Sequence, residues 1–122
     1  MTIHNLVKIA HSAAQEKGFW DGGGHNISEK LMLIVSELGE AQEALRKDKH
    51  TDPGEIALVE GAEDTFVEDF QTIVKDTFED ELADAVIRIA DLAGHLRIDL
   101  EKHVELKLRY NKTRPHKHGK KF

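Results

Sequence analysis

Apolar residues recur at the helical period along most of the chain and predict four helices. The expected ranges are residues 2–17, 26–47, 77–96 and 99–113. Gly18 is typical of the residue that ends a helix, while Asn26 with Glu29 is typical of a capping box that begins one. Asp99 is expected to cap the last helix, and residues 55–75 are expected to form one or two short helical pieces. The pattern therefore predicts an all-α fold.

The second and third predicted helices each carry a pair of acids inside an apolar stretch. Glu37 and Glu40 are spaced i,i+3, which puts them on one helix face, and Glu81 and Asp84 repeat that spacing. Arg88, four residues after Asp84, is expected to form a salt bridge with it. The expected core stripes are Leu31, Ile34, Val35, Leu38 and Leu45 in one helix, and Leu82, Val86, Ile89 and Leu96 in the other.

Two such helices packed side by side would bring four carboxylates together. Carboxylates in an apolar setting are costly unless they are compensated, and like charges repel. One interpretation is a divalent cation among them, and oxygen ligands suit Mg²⁺, Mn²⁺ or Ca²⁺ rather than zinc. The other is a buried, hydrogen-bonded polar network without a metal. The spacing alone leaves both open.

Composition narrows the class of protein. The chain has 122 residues, of which 39% are apolar and 33% are charged, as expected of one soluble domain. It contains no cysteine, which excludes disulfides and thiolate chemistry. No apolar run reaches the length of about 18 residues that a membrane span needs, and residues 1–17 lack the core of a signal peptide. We therefore expect a cytoplasmic protein without a membrane partner.

Charge is distributed unevenly. Residues 1–106 hold 10 Lys/Arg and 23 Asp/Glu, a net charge of −13, whereas residues 107–122 hold seven Lys/Arg and no acid, a net charge of +7. The acidic body opposes stable nucleic-acid binding. The basic end could contact phosphates, close over an acidic site or be a solvated tail, and we expect residues 115–122 to be mobile.

Trp20 lies in the glycine-rich loop of residues 18–25. The loop lacks the Lys-Ser/Thr of a phosphate-binding loop and is interpreted as a flexible connection. The Trp20 ring could pack in the core or an interface, or it could stack on a base.

The two acidic motifs resemble a known family. Ser36-Glu37-Leu-Gly-Glu40, followed by Glu81-Leu-Ala-Asp84, is similar to the E-E-x-x-E and E-x-x-D signature of the MazG-like, all-α nucleotide pyrophosphohydrolase superfamily. The resemblance covers roughly residues 19–114 and includes Lys107-x-x-x-Asn111 and Arg114. Ser36 departs from the signature, because the family has an acid there, and four acidic ligands remain.

This resemblance implies one MazG-type, four-helix-bundle-like domain over residues 1–114 that forms a homodimer or homotetramer. It implies hydrolysis of a nucleoside triphosphate between the α and β phosphates, with Mg²⁺ as cofactor and Mn²⁺ as the alternative. The implied metal ligands are Glu37, Glu40, Glu81 and Asp84. Glu37 or Glu40 would accept the proton of the attacking water. The implied substrate-binding residues are Lys107, Asn111 and Arg114 at the phosphates and Trp20 near the base.

Two further functions remain open at this stage. The protein could be a catalytically inactive helical oligomer that binds a nucleotide or a metal, which the missing acid at Ser36 favours. It could also be a nucleic-acid-binding module that uses residues 107–122, although the acidic body argues against this.

Overall fold

The computed structural model describes residues 1–121, which form six α-helices and no strand. The predicted all-α class is therefore confirmed. The helices are α1 (Ile3–Glu16), α2 (Ile27–Arg46), α3 (Pro53–Gly61), α4 (Phe66–Asp69), α5 (Phe78–His95) and α6 (Leu100–Lys112). A π-helical turn (Phe70–Val74) follows α4, and a 3₁₀ turn (His116–Gly119) follows α6.

The predicted helix ends are confirmed by their caps. Gly18 follows the C-cap of α1 with a φ of +83°, a conformation that favours glycine. The Asn26 side chain accepts a hydrogen bond from the Glu29 amide at 3.3 Å. Asp99 accepts one from the Lys102 amide at 3.1 Å. Each acceptor satisfies an amide that the first helical turn leaves without a partner.

The segment between the acidic helices is helical over most of its length, as expected. Pro53 begins α3, where its fixed φ suits the first helical position, and Asp52 accepts a hydrogen bond from the Gly54 amide at 2.8 Å. The π-helical turn closes with a hydrogen bond from the Lys75 amide to the Phe70 carbonyl at 2.9 Å. Of the one or two short helical pieces predicted for residues 55–75, the structure shows two, which are α3 and the α4–π segment.

The chain forms two compact units, and α5 contributes to both. The terminal unit consists of residues 1–22 and 90–121, and the central unit consists of residues 23–89. In the terminal unit α1 packs against α6, and in the central unit α3 packs against α4 and the π-helical turn. The single domain over residues 1–114 and the mobile tail over residues 115–122 stay predictions, and Phe122 lies outside the described residues.

Small side chains dominate the buried apolar positions. These are Ala10, Ala41, Ala44, Val59, Val74, Ala85, Ala90 and Ala93. The predicted core stripes are wrong in their phase: apart from Ile34, which is half-buried, their side chains are between 40% and 51% exposed. Because α2 is apolar almost all round, its pattern does not fix its rotation. The helix instead buries the face of Glu37, Ala41 and Ala44.

A set of hydrogen bonds ties the end of α2 to the start of α5 within the central unit. The Phe78 amide donates to the Lys49 carbonyl at 2.8 Å, and the Thr51 amide donates to Glu79 Oε2 at 3.0 Å. His50 Nδ1 lies 3.0 Å from Glu79 Oε1. These bonds join the loop that follows α2 to the first turn of α5. No helix within residues 1–121 combines the length and apolarity needed to span a bilayer.

Candidate metal centre

Three of the four predicted ligands meet in the central unit. Glu37, Glu40 and Glu81 each offer a carboxylate oxygen, and these three oxygens lie within 4.8 Å of one another. Glu37 is 7% exposed and Glu81 is 5% exposed, whereas Glu40 is open to solvent. We call these three residues the acid cluster. Asp84 lies one turn after Glu81 on α5 and outside this cluster.

Glu81 is the least satisfied member of the acid cluster. Its Oε2 is buried and has no hydrogen-bond partner in the described part of the chain. Burial, hydrogen bonding with Glu40 and Glu37, and the charges of Glu40 and Asp84 together raise the pKa of Glu81 to about 7. A protonated Glu81 can donate its own hydrogen bond to a neighbouring carboxylate, and an ionised Glu81 needs a cation.

Arg88 binds Glu37, and the predicted salt bridge with Asp84 is wrong. The Arg88 Nε donates to Glu37 Oε1 at 2.6 Å, a contact between residues 51 positions apart that no local pattern indicates. Burial raises the pKa of Glu37, but hydrogen bonds from Arg88 and Glu40 and the Arg88 charge lower it overall. Glu37 is therefore held as a carboxylate with one oxygen already engaged.

Asp84 lies in a negative environment, and its carboxylate forms no ion pair within residues 1–121. Burial raises its pKa, and the charges of Asp80 and Glu37 add to the increase, while Arg88 opposes it. The side chain therefore has reason to attract a cation, although its oxygens lie apart from the acid cluster.

A second acidic group at the start of α5 was not predicted. Asp76, Asp80 and Glu81 also place one carboxylate oxygen each within 4.8 Å of the others, so Glu81 belongs to both groups. Asp80 already accepts a hydrogen bond from the Asp76 amide at 3.0 Å. The i,i+4 spacing of Asp76 and Asp80 was the only indication in the sequence, and it does not stand out in a chain this acidic.

The predicted phosphate-binding residues lie in the terminal unit, around an aromatic ring that was not predicted. Lys107 Nζ lies 5.2 Å from the centre of the Tyr110 ring, and Arg114 Cζ lies 5.7 Å from it. Both distances are those of cation–π contacts. Asn111 Oδ1 is buried and has no partner among the described residues. The structure therefore brings the two predicted cations to one ring.

Trp20 packs within the terminal unit, which favours the packing interpretation over stacking on a base. Its ring stacks on His95 with 3.8 Å between centroids and 9° between planes. Its Nε1 donates to Asp91 Oδ1 at 2.8 Å, and His11 Nδ1 lies 2.9 Å from the same oxygen. Because a carboxylate only accepts, His11 Nδ1 carries the proton of this bond. We call His11, Trp20, Asp91 and His95 the Asp91 cluster.

Comparisons with models of known families, with curated proteins and with solved structures gave no match to this chain. The function is therefore argued from the site and from the spacing of its residues.

Proposed function

We propose that the protein is an Mg²⁺-dependent nucleoside triphosphate pyrophosphohydrolase that cleaves between the α and β phosphates, with Mn²⁺ as a possible substitute. The observation that carries the proposal is the convergence of Glu37, Glu40 and Glu81, with a buried Glu81 oxygen that has no partner among the described residues. The E-x-x-E and E-x-x-D spacing supports the reaction class.

The residues of the acid cluster fit a divalent cation. They offer only oxygen donors, the type that Mg²⁺ and Mn²⁺ prefer. A cation would give Glu81 Oε2 the partner it lacks and would displace the proton that a pKa of about 7 allows Glu81 to keep. Glu37, Glu40 and Glu81 would hold the ion, and Asp84 is the proposed fourth ligand.

The bound ion would neutralise phosphate charge and lower the pKa of a water molecule. Glu40 is the member of the acid cluster that is open to solvent, so we assign it the proton of the attacking water. Arg88 holds Glu37 in place, and its charge lies beside the acids where phosphate oxygens would arrive. The water oxygen forms the new bond to phosphorus as the bond between the α and β phosphates breaks, releasing monophosphate and pyrophosphate.

The role of Lys107, Asn111 and Arg114 at the phosphates stays a prediction from the family resemblance and from their donor chemistry. Lys107 and Arg114 lie against the Tyr110 ring in the terminal unit. A base contact by Trp20 stays a prediction. The indole NH and one ring face of Trp20 are already engaged by Asp91 and His95.

We also propose that the protein is a homodimer or homotetramer. Along α2, large apolar side chains are about half exposed or more: Leu31, Met32, Val35, Leu38 and Leu45. A second copy would remove this surface from water. Sedimentation at micromolar concentration that shows only a 13.8 kDa species would contradict this assignment.

A catalytically inactive oligomer that binds a nucleotide or a metal is the second candidate. Two observations favour it. Arg88 already neutralises Glu37, and Ser36 stands where the resembled family has an acid, with its hydroxyl bonded to the Leu33 carbonyl at 2.7 Å.

A screen of nucleoside triphosphates with Mg²⁺, read out as released pyrophosphate, tests the function. We expect turnover of at least one substrate, and its loss in EDTA and in Glu40→Gln. Glu43→Gln is the matched control, because Glu43 is an exposed acid one turn further along α2. Mg²⁺-dependent nucleotide binding without pyrophosphate release would favour the inactive oligomer instead.

A further inference from the structure

A cavity of about 410 Å³ lies in the central unit, and Asp84 and Asp80 form part of its wall. Its volume is within the range of about 300–1,000 Å³ that small-molecule sites have. The opposite wall is apolar and consists of Phe66, Val67 and Phe70. We call this the aromatic cavity. It therefore combines an apolar part with the carboxylates of Asp76, Asp80 and Asp84, and the Lys75 ammonium also lines it.

The apolar wall is poorly covered. Phe66 and Phe70 have ring centres 6.0 Å apart and planes tilted by 42°, so the two rings do not stack on one another. Phe66 is 46% exposed, and Val67 is exposed as well. Exposed aromatic surface in a concave site gives a flat, apolar ligand a favourable place to bind.

Phe70 and Gln71 lie on the π-helical turn, which is a second unusual feature of this wall. Such turns are rare, and they are often found at functional sites. Gln71 lines the aromatic cavity and carries an amide that can both donate and accept hydrogen bonds. The π-helical turn thus places an aromatic ring next to a side chain that can form hydrogen bonds with a ligand.

We propose that the aromatic cavity binds the nucleobase of the substrate and that Gln71 reads the edge of the base. The inference rests on the proposed function, because Asp84 lines the cavity and lies one turn from Glu81 of the acid cluster. Asp80 and Asp84 repel a phosphate chain that has no cation, so the neutral end of a nucleotide suits the apolar part. The phosphates then belong at the acid cluster.

A cavity of about 400 Å³ in the terminal unit fits a base less well. Its wall carries cations from Lys8 and Arg97 and acids from Asp99 and Glu101. Imidazoles are present, but no phenyl or indole ring is among the described residues that line it. It therefore lacks the apolar ring surface that distinguishes the aromatic cavity.

Nucleoside binding without phosphate or metal tests the aromatic wall directly. Cytidine, uridine, adenosine and inosine are titrated in EDTA into wild type, Phe66→Leu and Phe19→Leu, with binding followed by equilibrium dialysis and backbone amide NMR. We expect at least one nucleoside to bind and to shift the amide signals of residues 66–71. Phe66→Leu should weaken that binding about fivefold or more. Phe19→Leu, at an exposed phenylalanine of the terminal unit, should leave it unchanged.

Gln71→Glu tests the reading of the base edge. The substitution turns a donor and acceptor into an acceptor only, which favours an amino group over a carbonyl at the same position of the base. We expect the ratio of kcat/KM for dCTP over dUTP, or of the corresponding nucleoside affinities, to rise about fivefold or more. Gln15→Glu, at an exposed glutamine on α1, should leave the ratio unchanged.

The two proposals can fail separately. Pyrophosphate release that persists while Phe66→Leu and Gln71→Glu change neither nucleoside affinity nor the substrate ratio would overturn the base site and leave the function standing. Absence of nucleoside binding to wild type would also overturn the base site. Nucleoside binding that needs Phe66 and Gln71, without turnover of any triphosphate, would support the site and reject the hydrolase.

Discussion

Helix α5 carries two acids whose surroundings are opposite in kind. Asp91, near its end, has one carboxylate oxygen that accepts hydrogen bonds from Trp20 at 2.8 Å and from His11 at 2.9 Å. Glu81, near its start, is more deeply buried, and its Oε2 has no partner in residues 1–121. The nearest polar neighbours of Glu81 are other carboxylates.

Asp91 is therefore a structural acid, whereas Glu81 is a candidate metal ligand. Folded proteins pair nearly all buried polar atoms, because an unpaired one costs free energy. Asp91 follows this rule with donors from its own unit, so it needs nothing further. Glu81 Oε2 departs from this rule within the described residues, and either a proton on Glu81 or a bound cation would supply the missing interaction. Both acids lie in similar sequence on one helix, so only their neighbours distinguish them.

The largest effect is expected at the acid cluster and Asp84. Glu40→Gln and Asp84→Asn should each lower Mg²⁺-dependent pyrophosphate release about a thousandfold, which corresponds to about 4 kcal/mol of transition-state stabilisation. Circular dichroism should show that both variants remain helical. Full turnover in either variant, or in wild type with excess EDTA, would remove these residues from the metal site.

Truncation of Asp91 and of Glu81 should lower the free energy of unfolding by very different amounts. Asp91→Ala removes the acceptor of the hydrogen bonds from Trp20 and His11 and should cost about 3 kcal/mol of unfolding free energy, since a hydrogen bond to a charged group contributes about 1.5–3 kcal/mol. Glu81→Ala in EDTA at pH 8 should cost far less, because it removes a repelled charge. Urea unfolding of both variants measures the difference, and equal losses would contradict the distinction.

The pH dependence of stability without metal is a further test of the difference between Glu81 and Asp91. The folded pKa of Glu81, about 7, lies above its ordinary value of 4.5, so the folded state holds a proton that the unfolded state releases. Stability is then greatest below pH 4.5 as far as Glu81 is concerned, and it falls as pH rises towards 7. We expect a loss of about 2 kcal/mol between pH 5.5 and pH 8 in EDTA. Glu81→Gln should remove most of this slope, and an unchanged slope would mean that another group causes it.

The smallest effect on activity is expected at the basic end of the chain. It tests whether residues of the terminal unit outside the Asp91 cluster contribute to turnover. Arg114→Ala should lower kcat/KM about tenfold, or about 1.4 kcal/mol, because a cation at the phosphates is lost. Lys120→Ala, at an exposed lysine after the 3₁₀ turn, should change it little. Equal, small effects would assign Lys107 and Arg114 to packing on Tyr110 alone.

Local features of the fold were predictable from the sequence, because caps and glycines act within one turn. Gly18, Asn26 and Asp99 mark their helix ends as expected. The rotation of α2 was not predictable, since its apolar residues surround the helix and the larger ones suggested the wrong buried face. Alanines take that face instead, where small side chains allow close approach.

The candidate site was predictable where it depended on spacing and not where it depended on distant partners. The i,i+3 pairs predicted that Glu37, Glu40, Glu81 and Asp84 converge, and the first three of them do so. The Arg88–Glu37 bond joins two helices, and Asp84 was nearer in sequence, so the wrong partner was chosen. The cavity wall formed by Phe66 and Phe70 was not predicted, because the apolar pattern of residues 55–75 did not determine which type of helix forms there.

The alanine-rich interior has a consequence for the thermodynamics of unfolding. An alanine buries little apolar area, and apolar area sets both the heat capacity change and the denaturant m-value. Of the buried apolar residues in the described chain, six of eight are alanine. A single chain of 122 residues should therefore unfold with a heat capacity change below the typical value of about 1.5 kcal/mol/K. Both quantities should rise with protein concentration where copies associate, because association then supplies the apolar burial that the single chain lacks.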